Sequence, residues 1–532
     1  MRPMNMKNVL LKTRLLLAAI VAVASLSATA HAAAPGITGP NFTLTAQPAY
    51  LTQPDGQAIY SWGYGCTRTP AGFKPSATLM PGTACPTMQV PGPTLIVTQG
   101  QSVSITLTNQ LPTAAGNTSI LFPGFNVTPA GGVAGLLTEE AIPGGTVTYN
   151  FVASTPGTHS YYSGTQSDLQ IEMGLYGAII VVPSSAPAVC TSPATRSNLY
   201  GAAGANPETD FRLATAAYNH AKTCYDREYL FQFAEMDPNI HNQALAQVTA
   251  RTGCVTGAPG CSLEVPTEPY HPAYFLINGR SMPDDMDANY SPMYPHQPYN
   301  GNPHMHPGEN VLLRIIGQGR WQHPFHEHAN HVRILARDGN LILSSTDPTS
   351  LAGPALFTTT TTPGVAMDGI FYYTGRGLNW DMYGHNPAST DTSAKLTCTP
   401  DANGYNTGPA AYSAINYFEW CQDHNKPLQA APFGDVAGGG PVTLPDANIF
   451  TNGAWYGGSP YLGPDATVRA TGPTGVTPPS GTIANSPGGE AGFAFMWHSH
   501  NEREITTNNA FPGGMMMMML IDSREFTIDE SN

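Results

Sequence analysis

A chain of 532 residues is longer than one ordinary domain, and 11% charged residues against 55 Gly and 49 Pro argue against a helical protein. The formal net charge of −14 argues against nucleic acid and anionic lipid as partners and favours cations, metal ions included.

Residues 1–33 read as an export signal. Arg2, Lys7, Lys12 and Arg14 precede the apolar run Leu15–Leu26, and Ala30-His31-Ala32 offers small residues for cleavage near Ala32. The run is shorter than the ~20 residues a membrane span needs, and no later segment is long and apolar enough. Export implies a secreted or periplasmic protein, and losing those four cations moves the formal charge from −14 to −18. An oxidising compartment makes disulfides the default for eight cysteines. Pairing between sequence neighbours (Cys66–Cys85, Cys190–Cys224, Cys254–Cys261, Cys398–Cys421) is the simplest connectivity.

Along the chain, Val103, Ile105 and Leu107 alternate with Ser104, Thr106 and Thr108, which predicts a half-buried strand after the Gly100 turn. Val147, Tyr149 and Phe151 repeat the alternation, and Gly177–Val182 is a continuous apolar strand. The turn-and-strand pattern recurs at Pro307–Ile316, which suggests two β-sandwiches of one architecture. The expected division is a first domain over 40–185 and a connector over 186–227 with a helix near Asp210–Lys222. A second domain follows over 228–375 and 490–530, interrupted by a Gly/Pro/Asn-rich insertion at 376–489.

The chemistry concentrates in the histidines. His323, His326, His328 and His331 fall within nine residues, and His498 and His500 flank Ser499. On a strand, residues i and i+2 share a face, so His326/His328 and His498/His500 are two side-by-side pairs. On neighbouring strands they would converge four imidazoles, a donor set suited to copper, zinc, iron or nickel. The bland alternative is a set of hydrogen-bonded structural histidines. His304 and His306 form a further pair, readable as ligands or as a polar loop tip. Met515 heads the run Met515–Met519; about half of those thioethers are expected in the core, with Met515 a candidate soft donor. Glu327, Glu502, Arg503 and Glu504 would orient imidazoles or form a charged rim.

His323-Pro-Phe-His-Glu-His328, with Val332–Gly339 behind it, resembles the third copper motif of multicopper oxidases, His-Pro-x-His-Leu-His-Gly-His. Phe275–Pro283, Pro307-Gly-Glu309, Gly174–Val181 and Pro91-Gly-Pro-Thr94 match the family's framework. The resemblance implies an all-β fold of two cupredoxin-like Greek-key β-sandwich domains with the long loop-rich insertion in the second. It also implies copper as the cofactor, with His323 at the blue (type 1) position and His326 and His328 at the trinuclear cluster. Several ligands do not carry over. The family's His-Cys-His reads His498-Ser499-His500, and Glu504 stands at its later histidine. The two first-domain motifs align with Leu121–Gly124 and Ser160–Gly164, which hold no histidine. Tyr161 and Tyr162 stand in that second segment and would line the emptied pocket, perform one-electron chemistry or pack the core.

The expected metal residues are thus His326, His328, His498 and His500, with His323, His331, His304, His306 and Met515 as secondary candidates. Three functions stay open. One is a copper-binding protein with a reduced His-only site. The second is an oxidase of phenols or metal ions with rearranged ligands. The third is a non-catalytic scaffold. The expected partner is the copper ion; a small-molecule or metal-ion substrate and homo-oligomerisation stay open.

Overall fold

The computed structural model describes residues 34–70, 72–74, 85–191, 212–376, 397–407, 419–424, 458–461, 492–522 and 528. The expected signal at 1–33 and most of the 376–489 insertion lie outside them.

Two pairs of sheets follow one another. In the first, a five-stranded sheet (Gly157–Tyr162, Tyr176–Val182, Leu95–Thr98, Gly36–Thr38, Phe73–Lys74) faces another (Ala58–Cys66, Asn41–Thr52, Ser102–Asn109, Thr146–Val152, Thr128–Ala130). The period-2 patterns place Val103, Ile105, Leu107, Val147, Tyr149 and Phe151 inward in one core with Trp62, Phe122 and Tyr161. That alternation is what a sheet with one wet face requires.

The second pair repeats the plan. Tyr274–Ile277, Arg227–Met236, Asn310–Gly317, Ala366–Tyr372 and Val332–Arg337 run side by side in one sheet. Opposite them lie His304–Met305, Met516–Asp522, Gly492–Ser499, His323–Glu327 and Thr358–Thr361. Phe231, Phe233, Phe325, Phe371, Trp497 and Met517 fill the space between. In both pairs, parallel neighbours distant in sequence (Asn41–Thr52 beside Ser102–Asn109, Arg227–Met236 beside Asn310–Gly317) mark Greek-key crossovers. The protein is all-β, built of Greek-key β-sandwiches. The insertion adds Gly458–Tyr461 as a strand against Gly492–Ser499.

Three sequence expectations change. Residues 212–222, the described part of the expected helix, are not helical. Ala214 N donates to the Tyr225 hydroxyl and Tyr218 N to Thr223 Oγ1, while Ala216 bridges to Cys224. Those backbone donors are therefore spent outside any i→i−4 ladder. The helix lies instead at Pro238–Ala250. Asp237 caps it by accepting from Asn239 N, and Pro238 opens its first turn. Finally, Met515, Met516, Met517 and Met519 are all buried and only Met518 is partly exposed, so packing takes more of that run than half.

The disulfides join sequence neighbours at all four expected pairs. Among the described residues, no helix is long and apolar enough to cross a membrane.

Candidate metal centre

Two adjacent strands position the histidine pairs. His323–Glu327 runs antiparallel to Gly492–Ser499 with His326 opposite His498, and Thr358–Thr361 flanks the other edge. The pleat divides the side chains. His323, Phe325 and Glu327 face the core with Ser499 and Trp497, while His326, His328, His498 and His500 share the opposite face.

On that outer face the His326 ring centroid lies 4.7 Å from His328, 5.6 Å from His498 and 4.9 Å from His500. His328 and His498 are the tightest pair, with Nε2 to Nε2 at 3.1 Å. His498 Nδ1 lies 2.7 Å from the Ser499 carbonyl, which can only accept, so Nδ1 carries the proton and Nε2 keeps its lone pair toward His328. His326 Nδ1 is 2.8 Å from the Thr358 hydroxyl. Burial, then the neighbouring His498 and His500, pull the His326 imidazole down to about 4; burial also lowers His498. Both are neutral at pH 7, the form that binds metal. His500 is the open member, with a side chain 49% exposed.

This donor set fits a metal in part. Two nitrogens ~2.0 Å from one ion stand ~2.8 Å apart at a right angle and ~3.3 Å at the tetrahedral angle. The 3.1 Å approach falls between. Among the described residues, however, the one grouping of three donors mutually within 4.8 Å is Cys398, Glu419 and His424. Cys398 there is disulfide-bonded and offers no thiolate. The histidine face therefore holds one preset pair, with the His326 ring 4.7 Å from His328 and the His500 ring 5.6 Å from His498.

The core face is built differently. His323 Nε2 lies 2.9 Å from Glu235 Oε2 and Nδ1 lies 2.9 Å from Glu504 Oε2, all buried. Ser499 donates its hydroxyl to the same Glu504 oxygen at 2.5 Å, and Asn501 Nδ2 donates to Oε1. Burial alone would lower the His323 imidazole, but hydrogen bonds to Glu235 and Glu504 outweigh it and raise it to about 9. His323 is thus an imidazolium clamped between two carboxylates, with no ring nitrogen left for a metal. Glu235 was not singled out in the sequence, although one acidic residue in the apolar run Tyr229–Met236 was a visible signal.

The remaining candidates lie apart. His331 packs on Phe357, which also touches His326, so it borders the cluster. His304 and His306 are buried, not at a loop tip. His304 pairs with Leu520 while His498 pairs with Met516, which separates them by ~13 Å along the strand. Met515 is buried, its carbonyl accepting from Ser499 N and its N–H donating to Glu504 O. Glu327 points into the core, where Thr359 donates to one carboxyl oxygen and the other has no partner; burial raises it to about 8. It does not touch the imidazoles' face.

In the first domain the two segments where histidines are lacking do meet. Leu121 and Tyr162 pair through their backbones, and the Leu121 side chain covers Gly164. Phe122 and Tyr161 pack at 5.9 Å, with the Tyr161 hydroxyl donating to Pro93 O. Tyr161 is core; Tyr162 is only partly buried.

Residues 83–186, covering most of this first domain, match the family described as multicopper oxidase. That stretch of the first domain is similar to multicopper oxidases; the rest of the chain lies outside the match. The chain is 38% identical over 98 residues to the laccase abr2 of Aspergillus fumigatus, covering 18% of this chain and 16% of that protein. An L-ascorbate oxidase of Brassica rapa subsp. pekinensis gives the same identity and the same shares. The matched part is therefore about a sixth of those relatives' length. Among solved structures, a blue copper oxidase from Nitrosomonas europaea is similar at TM-score 0.42 and 14% identity, over 90% of this chain and 85% of that one. Copper is the metal of the multicopper oxidases.

Proposed function

We propose that the chain is an exported, copper-binding member of the multicopper oxidases whose metal site consists of imidazoles alone, His326, His328, His498 and His500, without a type 1 copper. The reading is carried by the 3.1 Å approach of His328 Nε2 to His498 Nε2, with the Ser499 carbonyl holding the His498 proton on the other nitrogen. Copper in this site would supply one-electron chemistry.

The protein's own groups set what such a site can do. Thr358 orients His326 and burial keeps His326 and His498 neutral at pH 7, while half-exposed His500 leaves one side open to solvent and to an outside electron donor. A blue site needs a soft thiolate. Ser499 offers a hydroxyl already given to Glu504, and both nitrogens of His323 are engaged. Four imidazoles suffice for one metal, not for the three-copper cluster that reduces dioxygen to water. The reading is a copper carrier or a one-electron oxidoreductase rather than a laccase-type oxidase. The Arg2–Ala32 segment supports export.

The test is metal content by mass spectrometry after copper loading and removal of excess. We expect about one copper per chain, lost when His328 and His498 are both changed to Ala. Three or more coppers per chain would restore the oxidase reading, and none would leave a scaffold.

A further inference from the structure

The segment Asn278–Asn302 leaves an unusual number of buried amide groups without a partner. Asn289 Nδ2, Asn300 Nδ2, and both Nδ2 and Oδ1 of Asn302 are buried and make no hydrogen bond. Each such group destabilises the fold unless something satisfies it. All three side chains line one cavity of ≈ 10 Å³, together with Asn278, Tyr299 and Ala34. That volume admits about one water-sized sphere.

The lining fixes the chemistry of an occupant. Asn289 cannot turn its amide over, because its Oδ1 accepts from Asn300 N at 2.9 Å, so its NH₂ must face the free side. Asn278 is spent: its NH₂ donates to Leu230 O and Asn300 O, and its oxygen accepts from Gln232 N. The Tyr299 hydroxyl accepts from Thr94 N. The unspent groups are three amide donors against one acceptor. Donors in excess, without charge, select a hydrogen-bond acceptor and disfavour a metal cation, which needs converging oxygens.

We propose that this cavity is a binding site for one single-atom hydrogen-bond acceptor, a halide ion or a water oxygen, gripped by Asn289, Asn300 and Asn302. Its position gives it a purpose. Thr94 belongs to the first sandwich, Leu230 and Asn278 to the second, and Ala34 to the entering chain, so the occupant pins the junction of all three. The proposal is independent of the copper reading.

Diffraction from crystals grown in sodium bromide, with data at the bromine absorption edge, tests it. An anomalous peak in the cavity identifies a halide. An oxygen-sized peak within hydrogen-bond distance of the amides and without anomalous signal identifies water. Either supports the site. A cavity without density, or amides rotated to bond one another, overturns it, as does a cation held by amide oxygens. The isosteric Asn289→Asp variant keeps the acceptor for Asn300 N but turns the free donor into an acceptor. It should lose a halide while His328 and His498 stay in place, and a halide peak retained at full occupancy would contradict the assigned grip; a water, which can donate to the new carboxylate, should stay.

Discussion

The two faces of the strand His323–Glu327 meet the same problem, buried imidazoles, with opposite solutions. On the core face His323 is charged, held between Glu235 and Glu504, each 2.9 Å away. On the outer face burial and like neighbours keep His326 neutral, and burial outweighs the pull of Glu502 on His498, which closes on His328 at 3.1 Å. Carboxylates where the family resemblance places a metal make an ion-pair lock. Imidazoles facing imidazoles make a place for a cation. The difference is decided by two acidic residues, one distant in sequence and one at the position of a lost histidine.

If the division is real, core-face variants should cost stability and spare copper, and outer-face variants the reverse. The largest effect belongs to His323→Ala, which leaves two buried carboxylates uncompensated; about 3–5 kcal/mol of unfolding free energy should be lost, read by denaturant titration. Copper content should not change; a parallel loss of copper would break the division.

The lock also carries a pH signature. His323 holds its proton to about pH 9 when folded and to about 6.5 when unfolded. Its contribution is full below pH 6.5 and is lost as pH rises through about 9, on the order of 3 kcal/mol in all. Thermal unfolding should therefore show a decline in stability over that window that His323→Ala flattens. An equal decline in the variant would assign it elsewhere.

On the other face, His328→Ala with His498→Ala should weaken copper binding at least ~100-fold, read by competition titration, while unfolding of the metal-free protein shifts less than in His323→Ala. A smaller change is expected for Thr358→Val, which removes the hydroxyl 2.8 Å from His326 Nδ1. Partners of this kind are worth ~10-fold or more in metal affinity. No change would mean that His326 is not a ligand.

How far the sequence reached follows the same physics. The strands were legible because one-sided burial imposes period-2 alternation, as at Val103–Leu107 and Val147–Phe151. The outer-face histidines were legible because i and i+2 share a side of a strand. The role of Glu504 was not, because its partner His323, and Glu235 on the other nitrogen of that ring, come from strands far apart in the chain. Helix Pro238–Ala250 carried an Asp-Pro start signal that was passed over, while the 210–222 stretch had composition without a cap. His304 and His306 have ligand spacing, yet their short strand docks at the far end of the sheet, a register that local pattern does not encode.

The most direct test of the two-face account is electron spin resonance and visible absorption of the copper-loaded protein, compared with Glu504→Gln. The account predicts an ordinary, weakly absorbing Cu(II) signal with nitrogen couplings from imidazoles, of the same intensity in both proteins. An intense blue band, or a signal that disappears with Glu504→Gln in a protein that still folds, would place the metal on the core face and contradict it.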